Sequence, residues 1–384
     1  MKFPRLKPGL IAAALCAACT ANAQTNVIKI GVNQPLTGVV AASGNFVTNG
    51  AKIAADAINA KGGVNGMKIE LVIEDSKSNP TEAANAAEKL IVRDKVPVIM
   101  GAWSSTYTLA VMPKLMEYKV PMLVETSSAD KITQLGNPYV FRISPTSGME
   151  AKSFTRHVGQ LHIRKADFLV VNNDWGRGAS DAFGEMLKKE GATIGRVELM
   201  DAAAQDMSAQ LSRIKGSDAD TLFVTTAVEQ LTLVLKQVQS LGLKRQIITT
   251  GGSQNPDQLI EQAGSAANGS IHSVIFSPWF PEVAADPELT KVFIAEWKKR
   301  GLDPAGMTEG SRGYDGIAAI AAAIGKSGAT DAEKIRDALW KVDLTGLTGK
   351  IAFAKVGPEG KESAQSMPQM SLVKIDSGKI VSVK

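Results

Sequence analysis

Residues 98–133 read "VIMGAWSSTYTLAVMPKLMEYKVPMLVETSSADKIT". The apolar run ending at Gly101 gives way near Ser105 to helical spacing, and a second apolar run follows at 120–125. Hydroxyls stand where each run ends: Ser104, Ser105 and Thr106 behind Trp103, then Thr126, Ser127 and Ser128. In an open parallel α/β sheet, ligands lie outside the carboxyl ends of the strands. A helix that starts there also offers unpaired backbone N–H groups and a partial positive charge. Together with hydroxyls, these can hold an anionic oxygen without any cationic side chain. Ser and Thr are also the ordinary caps of helices, so either group alone reads as a helix start. Two such groups on consecutive strands point to one bound carboxylate.

The same alternation of β-type runs and helical segments continues on both sides, the pattern of a parallel sheet with helices on both faces. "VIKIGV" (27–32) predicts a strand, "NGAKIAADAINA" (49–60) a helix capped by Asn49, and "KIELVIED" (68–75) the next strand. "NPTEAANAAEKLIV" (79–92) predicts a helix with Asn79 as cap and Pro80 in its first position. The alternation restarts with strands at 166–171, 196–200, 221–226 and 246–251, and helices at about 179–189, 207–214 and 228–241. Turn-rich stretches at 142–151 and 273–288 interrupt it, and β-type segments close the chain at 350–354 and 370–382. The fold class expected is α/β, with two doubly wound parallel-sheet lobes.

Residues 1–23 read as an export signal. Lys2, Arg5 and Lys7 precede the apolar "GLIAAALCAACTA", and Ala21-Asn22-Ala23 places small residues where a signal peptidase cuts. Cys19 would be a rival lipoprotein site, although Cys16 stands where a lipobox wants Leu. Both cysteines lie in this leader, so the mature chain has no disulfide. Cleavage removes three cations and takes the formal net charge from +5 to +2 (5 − 3). Acids and lysines are interspersed with no basic run, which argues against nucleic acid as a partner. No later run approaches the ~20 apolar residues of a membrane helix. The remaining chain, roughly 360 residues, suggests two domains at about 150 residues each.

Chemistry-bearing motifs are sparse. His157, His162 and His272 form no H-E-x-x-H and have no metal-ligand spacing, so neither a metal nor a cofactor is expected. "GAWSS" lacks the spacing of a nucleophile elbow, "NNDWGRG" completes no dinucleotide fingerprint, and "GLTGK" and "GPEGK" are too short for a P-loop. An enzyme is not expected. Trp175 in the strand-end loop "NNDWGRG" (172–178), Trp279 and Phe280 each read as cleft wall or as packing. Asp315, after Tyr314 in "SRGYDG", reads as a helix cap.

"IKIGVNQPLTGVVAASG", "NGAKIAADAINAKGGVNG", "VIMGAWSSTYTLAVMP" and "VPMLVETSSADKIT" resemble segments of the type I periplasmic binding proteins. More narrowly, the chain resembles the leucine/isoleucine/valine-binding proteins that feed ABC importers, over nearly its whole mature length. The resemblance implies two lobes joined by three crossovers, closing on a ligand by hinge motion. It divides the chain into a signal peptide at 1–23, a first lobe at 24–144 plus 278–366, and a second at 145–277 plus 367–384. By position, Ser104 and Ser105 would bind the ligand carboxylate, Thr126 and Ser128 would complete that site, and Trp175 would cover the ligand from the second lobe. Trp103, Ser127 and Tyr314 are further candidates for ligand contact.

Three positions depart from the family pattern. Ser43 and the Ala227-Val228 pair stand where aromatics are expected, and Gly251 in "TTGGSQ" stands about where the family supplies a Glu for the ligand's ammonium. An unpaired buried ammonium costs on the order of several kcal/mol. The departures therefore favour an aromatic or 2-keto acid. A branched-chain amino acid stays open if Glu125, Glu229 or Asp315 takes over the ammonium. The function expected is a monomeric periplasmic substrate-binding protein that delivers a small carboxylate to an inner-membrane ABC permease. The alternative is a ligand-presenting co-receptor for a membrane sensor.

Overall fold

The computed structural model describes residues 27–251, 255–328 and 330–383. The stretch expected to be an export signal, 1–23, lies outside the described residues, as do positions 252–254. Val27–Gln34 (β1), Lys68–Asp75 (β2), Ile99–Gly101 (β3), Met122–Val124 (β4) and Val140–Arg142 (β5) form a parallel sheet in the order 2-1-3-4-5. Lys165–Val171 (β6), Thr193–Met200 (β7), Thr221–Thr225 (β8), Gln246–Thr249 (β9) and Ile271–Val274 (β10) repeat that order as 7-6-8-9-10. Asp343–Gly346 (β11) and Gly349–Ala352 (β12) make a separate hairpin.

The last strands complete both sheets. Ala354–Val356 (β13) and Ser363–Gln365 (β14) join the first beside β5, whereas Ser371–Asp376 (β15) and Lys379–Val383 (β16) join the second beside β10. β13, β15 and β16 pair antiparallel, so each sheet is parallel with an antiparallel edge. The chain passes between the sheets three times, at 143–146, 275–286 and 366–370. Two lobes of α/β architecture result, doubly wound as the alternation of elements predicts.

Central strands such as β3, β4 and β8 are buried along their whole length, which is why they read as unbroken apolar runs. Ile30, Val32, Ile99, Leu123 and Phe141 centre the first core. Phe168 and Phe223 stack on one face of the second sheet, with Leu169 and Val224 on the other. In both sheets the strand order reverses beside the first strand, between β1 and β3 and between β6 and β8. Helices leave these neighbours on opposite faces, which opens a crevice at their carboxyl ends. No helix among the described residues is long and apolar enough to cross a membrane.

Helix ends follow the sequence where a local cap exists and depart from it where packing prevails. Asn79 accepts from Thr81 N (2.8 Å) and Glu82 N (3.2 Å), and Pro80 opens the helix Pro80–Glu88. Asn49 caps nothing: it lies inside the helix Ala41–Ala60. That helix crosses Met307–Ser327 so closely that a Cβ on Gly50 would lie 1.8 Å from Gly310 O, and one on Gly313 would lie 1.9 Å from Val47 O. The contact organises the polar turns before Asn49 that would not form a helix on propensity alone. The turn-rich 142–151 likewise contains the start of the helix Ser147–Gln160, capped by Thr146, which accepts from Met149 N (3.0 Å).

Candidate ligand-binding site

The carboxyl ends of the two sheets face each other across a cavity of about 60 Å³, measured as space open to the centres of water-sized spheres. On the first lobe it is lined by Trp103, Ser104, Ser105 and Tyr107 after β3, and by Thr126, Ser127 and Ser128 after β4. The helix Ser105–Tyr118 begins here, so the N–H groups of its first turn have no carbonyl within the helix to bond. Ser104 occupies the cap position but makes no side-chain cap bond. Trp103, just before it, is buried with φ of 49°. Left-handed backbone at a bulky residue is strained, and such strain concentrates at ligand sites.

The hydroxyls have different tasks. Ser105 Oγ accepts from Ala129 N (3.0 Å), tying the β3 turn to the β4 turn and leaving its own proton to donate. Ser127 is internal scaffolding, because its Oγ donates to Trp103 O (3.0 Å) and pairs with Thr108 Oγ1 (2.7 Å). Thr126 Oγ1 is buried without a protein partner. Beneath the β4 turn lies Arg142, fully buried at the end of β5. It donates to Ser127 O (3.2 Å), Ala129 O (2.7 Å), Gln365 Oε1 (2.6 Å) and Thr133 Oγ1 (2.6 Å). Burial pulls the guanidinium's pKa down, with the Asp130 charge opposing. It remains a cation, as arginine does in proteins, and it lies behind the hydroxyls.

The second lobe presents Val171, Asn173, Trp175, Ala202, Thr226, Ala227 and Gly251. Trp175 is not in a loop: the helix Asp174–Lys189 starts one residue before it, and Asn173 caps that helix by accepting from Gly176 N (2.9 Å). Ala227 stands at the cap position of Val228–Ser240. Three helix N-termini thus point their partial positive charge towards one cavity, and none of the described side chains that line it is charged. The lobes also touch outside the cavity. Asp174 accepts from Thr106 Oγ1 (2.9 Å) and Lys131 Nζ (2.5 Å), and Ser43 Oγ donates to Glu229 Oε1 (3.4 Å). Burial would raise the Asp174 pKa, but the bonds from Lys131 and Thr106 outweigh it and hold the carboxyl below its usual range.

Seven of the sequence candidates meet at this cavity: Trp103, Ser104, Ser105, Thr126, Ser127, Ser128 and Trp175. Tyr314 does not reach it. Its ring packs edge-on against Phe293, 5.6 Å between centroids, in a satellite core. Asp315 is no helix cap but sits within Met307–Ser327, where it accepts from Leu347 N, Thr348 N and Thr348 Oγ1 and anchors the β11–β12 hairpin. Burial pushes it up to about 6. Glu125 is fully buried and takes Gln34 Nε2 (2.8 Å), and Glu229 takes the Ser43 hydroxyl; neither lines the cavity, and burial raises both. Trp279 bonds Asp257 Oδ2 (2.8 Å) away from it.

Sequence reasoning missed a buried charge cluster behind the cavity. Both oxygens of Glu150, in the helix after the first crossover, accept from Gly251 N (2.8 and 2.9 Å). Arg312 Nε lies 4.0 Å from Glu309 Oε2, both buried, and its charge also acts on Glu125 and Glu150. Burial pushes Glu150 and Glu309 up to about 7, against the pull of Arg312 on both and of the Gly251 N–H on Glu150. Nothing in "TSGMEA" or "TEGSRG" signals this, since the partners come from distant segments. Among the described residues, no cluster of His, Cys, Asp or Glu could hold a metal ion.

A family model described as periplasmic binding protein matches residues 27–379. The Leu/Ile/Val-binding protein BraC3 of Rhizobium johnstonii is 29% identical over 365 residues, covering 93% of this chain and 94% of its own. Two solved structures are similar at comparable distance. The branched-chain amino acid binding protein LivJ of Streptococcus pneumoniae, in complex with isoleucine, is 26% identical with a TM-score of 0.81 over 93% of this chain and 98% of its own. A solute-binding protein of an ABC transporter from Rhodopseudomonas palustris, in complex with 3,4-dihydroxybenzoic acid, is 26% identical with a TM-score of 0.79 over 93% and 96%. With its repeated 2-1-3-4-5 sheets, facing strand ends and matched family model, the chain belongs to the type I periplasmic binding proteins of the branched-chain amino acid family.

Proposed function

We propose that the chain is the solute-binding component of an ABC importer, capturing a small carboxylate in the periplasm and offering the closed form to the inner-membrane permease. The observation that carries this reading is the uncharged cavity between three helix N-termini, with a cluster of hydroxyls on one side and an indole on the other. The carboxylate docks on the first lobe, accepting from Ser104, Ser105, Thr126 and Ser128 and from N–H groups of the first turn of Ser105–Tyr118. The second lobe then brings Trp175 over the apolar body. Contacts that exist only when the lobes meet, such as Thr106 and Lys131 with Asp174, favour the closed state once a ligand bridges both faces. The ligands of the two solved relatives, isoleucine and 3,4-dihydroxybenzoic acid, share a carboxyl group and an apolar body.

Titration calorimetry of benzoate, 4-methyl-2-oxopentanoate and leucine, each against its primary amide, tests the reading. At least one carboxylate binds and its amide does not, and Ser105→Ala weakens that binding by ~1–3 kcal/mol. Amides that bind as tightly as their acids would overturn it.

A further inference from the structure

Resting on that reading, we infer that the cleft selects carboxylates that carry no ammonium, and that Gly251, held by Glu150 and covered by Trp175, is the selecting element. Among the described residues, no charged side chain lines the cavity. Three helix N-termini face the ligand, and their partial positive charge repels a cation as it attracts an anion. None of the acids nearby lines the cavity. Glu150 gives both oxygens to Gly251 N. Glu125 and Glu229 each keep one oxygen without a partner, but neither lines the cavity; Glu229 lines an adjoining hollow that shares Val39, Val40, Ala202 and Ala227 with it.

Gly251 decides what occupies the second-lobe wall. Its φ of 107° is one that L side chains rarely adopt, and a Cβ there would sit 2.3 Å from Trp175 Cζ2. The indole therefore lies against bare backbone in the space an acidic side chain would need. Glu150 fixes this by pinning the Gly251 N–H from below, so it is a positioning residue for the wall. Trp175 Nε1 is itself buried with no partner. An oxygen acceptor on a ligand's body, a 2-keto group or a ring hydroxyl, would satisfy that donor once the indole turns its N–H to the cavity; an α-ammonium would not, because it can only donate.

The test is calorimetry on the full mature chain with pairs differing only at the amine: 4-methyl-2-oxopentanoate with leucine, phenylpyruvate with phenylalanine, and 4-hydroxybenzoate added. The expected result is that the amine-free member of a pair, or the benzoate, binds at least roughly a hundredfold more tightly than any amino acid. Gly251→Ala should weaken that ligand at least about tenfold by displacing Trp175. Should Gly251→Ala fail to fold, Trp175→Leu should weaken the same ligand comparably while giving amino acids no foothold. Leucine or phenylalanine binding as tightly as its keto acid overturns the inference but leaves carboxylate capture standing. Failure of every carboxylate to bind overturns both.

Discussion

The two faces of the cleft are built on opposite plans. The first-lobe face is polar and rigidly cross-tied: Ser105 joins the β3 and β4 turns, Ser127 clamps Trp103 O, and Arg142 holds both carbonyls of the β4 turn. The second-lobe face is mostly apolar, with Val171, Ala202, Ala227, Trp175 and a bare glycine beside Asn173 and Thr226. If the ligand is the proposed carboxylate, it needs the same hydroxyls whatever else it carries, and the first face sets the class of ligand. Exchange of one side chain for another on the second face changes which body fits. On the proposed function, affinity for the charge and selectivity for the body reside on different lobes.

The largest effect expected from breaking this division is at Arg142. Arg142→Met takes the guanidinium donor from Ala129 O, Gln365 Oε1 and Thr133 Oγ1, and leaves Ser127 O with the Ser144 hydroxyl alone. Stability should fall by on the order of 3 kcal/mol or more in urea denaturation. A loss under about 1 kcal/mol would mean that the first face does not depend on this scaffold.

A sharper comparison lies within the first face. Ser127→Ala strands buried partners and should cost ~1–3 kcal/mol of stability. Ser104→Ala removes a hydroxyl that makes no cap bond, so it should lower ligand affinity by ~0.5–1.5 kcal/mol with stability nearly unchanged. The reverse pattern, affinity lost at Ser127 and stability at Ser104, would exchange their roles.

The smallest effect concerns pH. Burial raises Glu150 and Glu309 to about 7, above the ~4.3 of an exposed Glu. Between those values the folded state holds more protons than the unfolded state, so stability falls as pH rises through the window. Tm should be a few degrees higher at about pH 5.5 than at about pH 7.5, and Glu309→Gln should flatten the difference. An undiminished slope in the variant would exclude Glu309 as its source.

What could be read along the chain was whatever rests on neighbours in sequence. The alternation of apolar runs and helical spacing yields two parallel-sheet lobes, Asn79 and Pro80 mark a helix start, and the hydroxyls at 104–106 and 126–128 mark strand ends that the sheets bring together. Asn49 misled because a close helix crossing overrode local preference, whereas the helix start inside 142–151 rests on a local cap, Thr146 accepting from Met149 N. Tyr314 and Asp315 looked like site residues at a helix start, yet the helix begins two turns earlier and packs both against other elements.

The buried carboxylates were invisible for a deeper reason. Glu150 meets Gly251 N across 101 positions of chain, and Arg312 feels acids from β4's end and from the other lobe. A glycine in "TTGGSQ" shows an absence; only the folded chain shows the indole of Trp175 in that space. Strand-end hydroxyls are specified by spacing, because every parallel strand ends on the same side of its sheet. Which acid is committed and which wall faces the ligand depends on groups converging from separate segments, and no local pattern encodes that convergence.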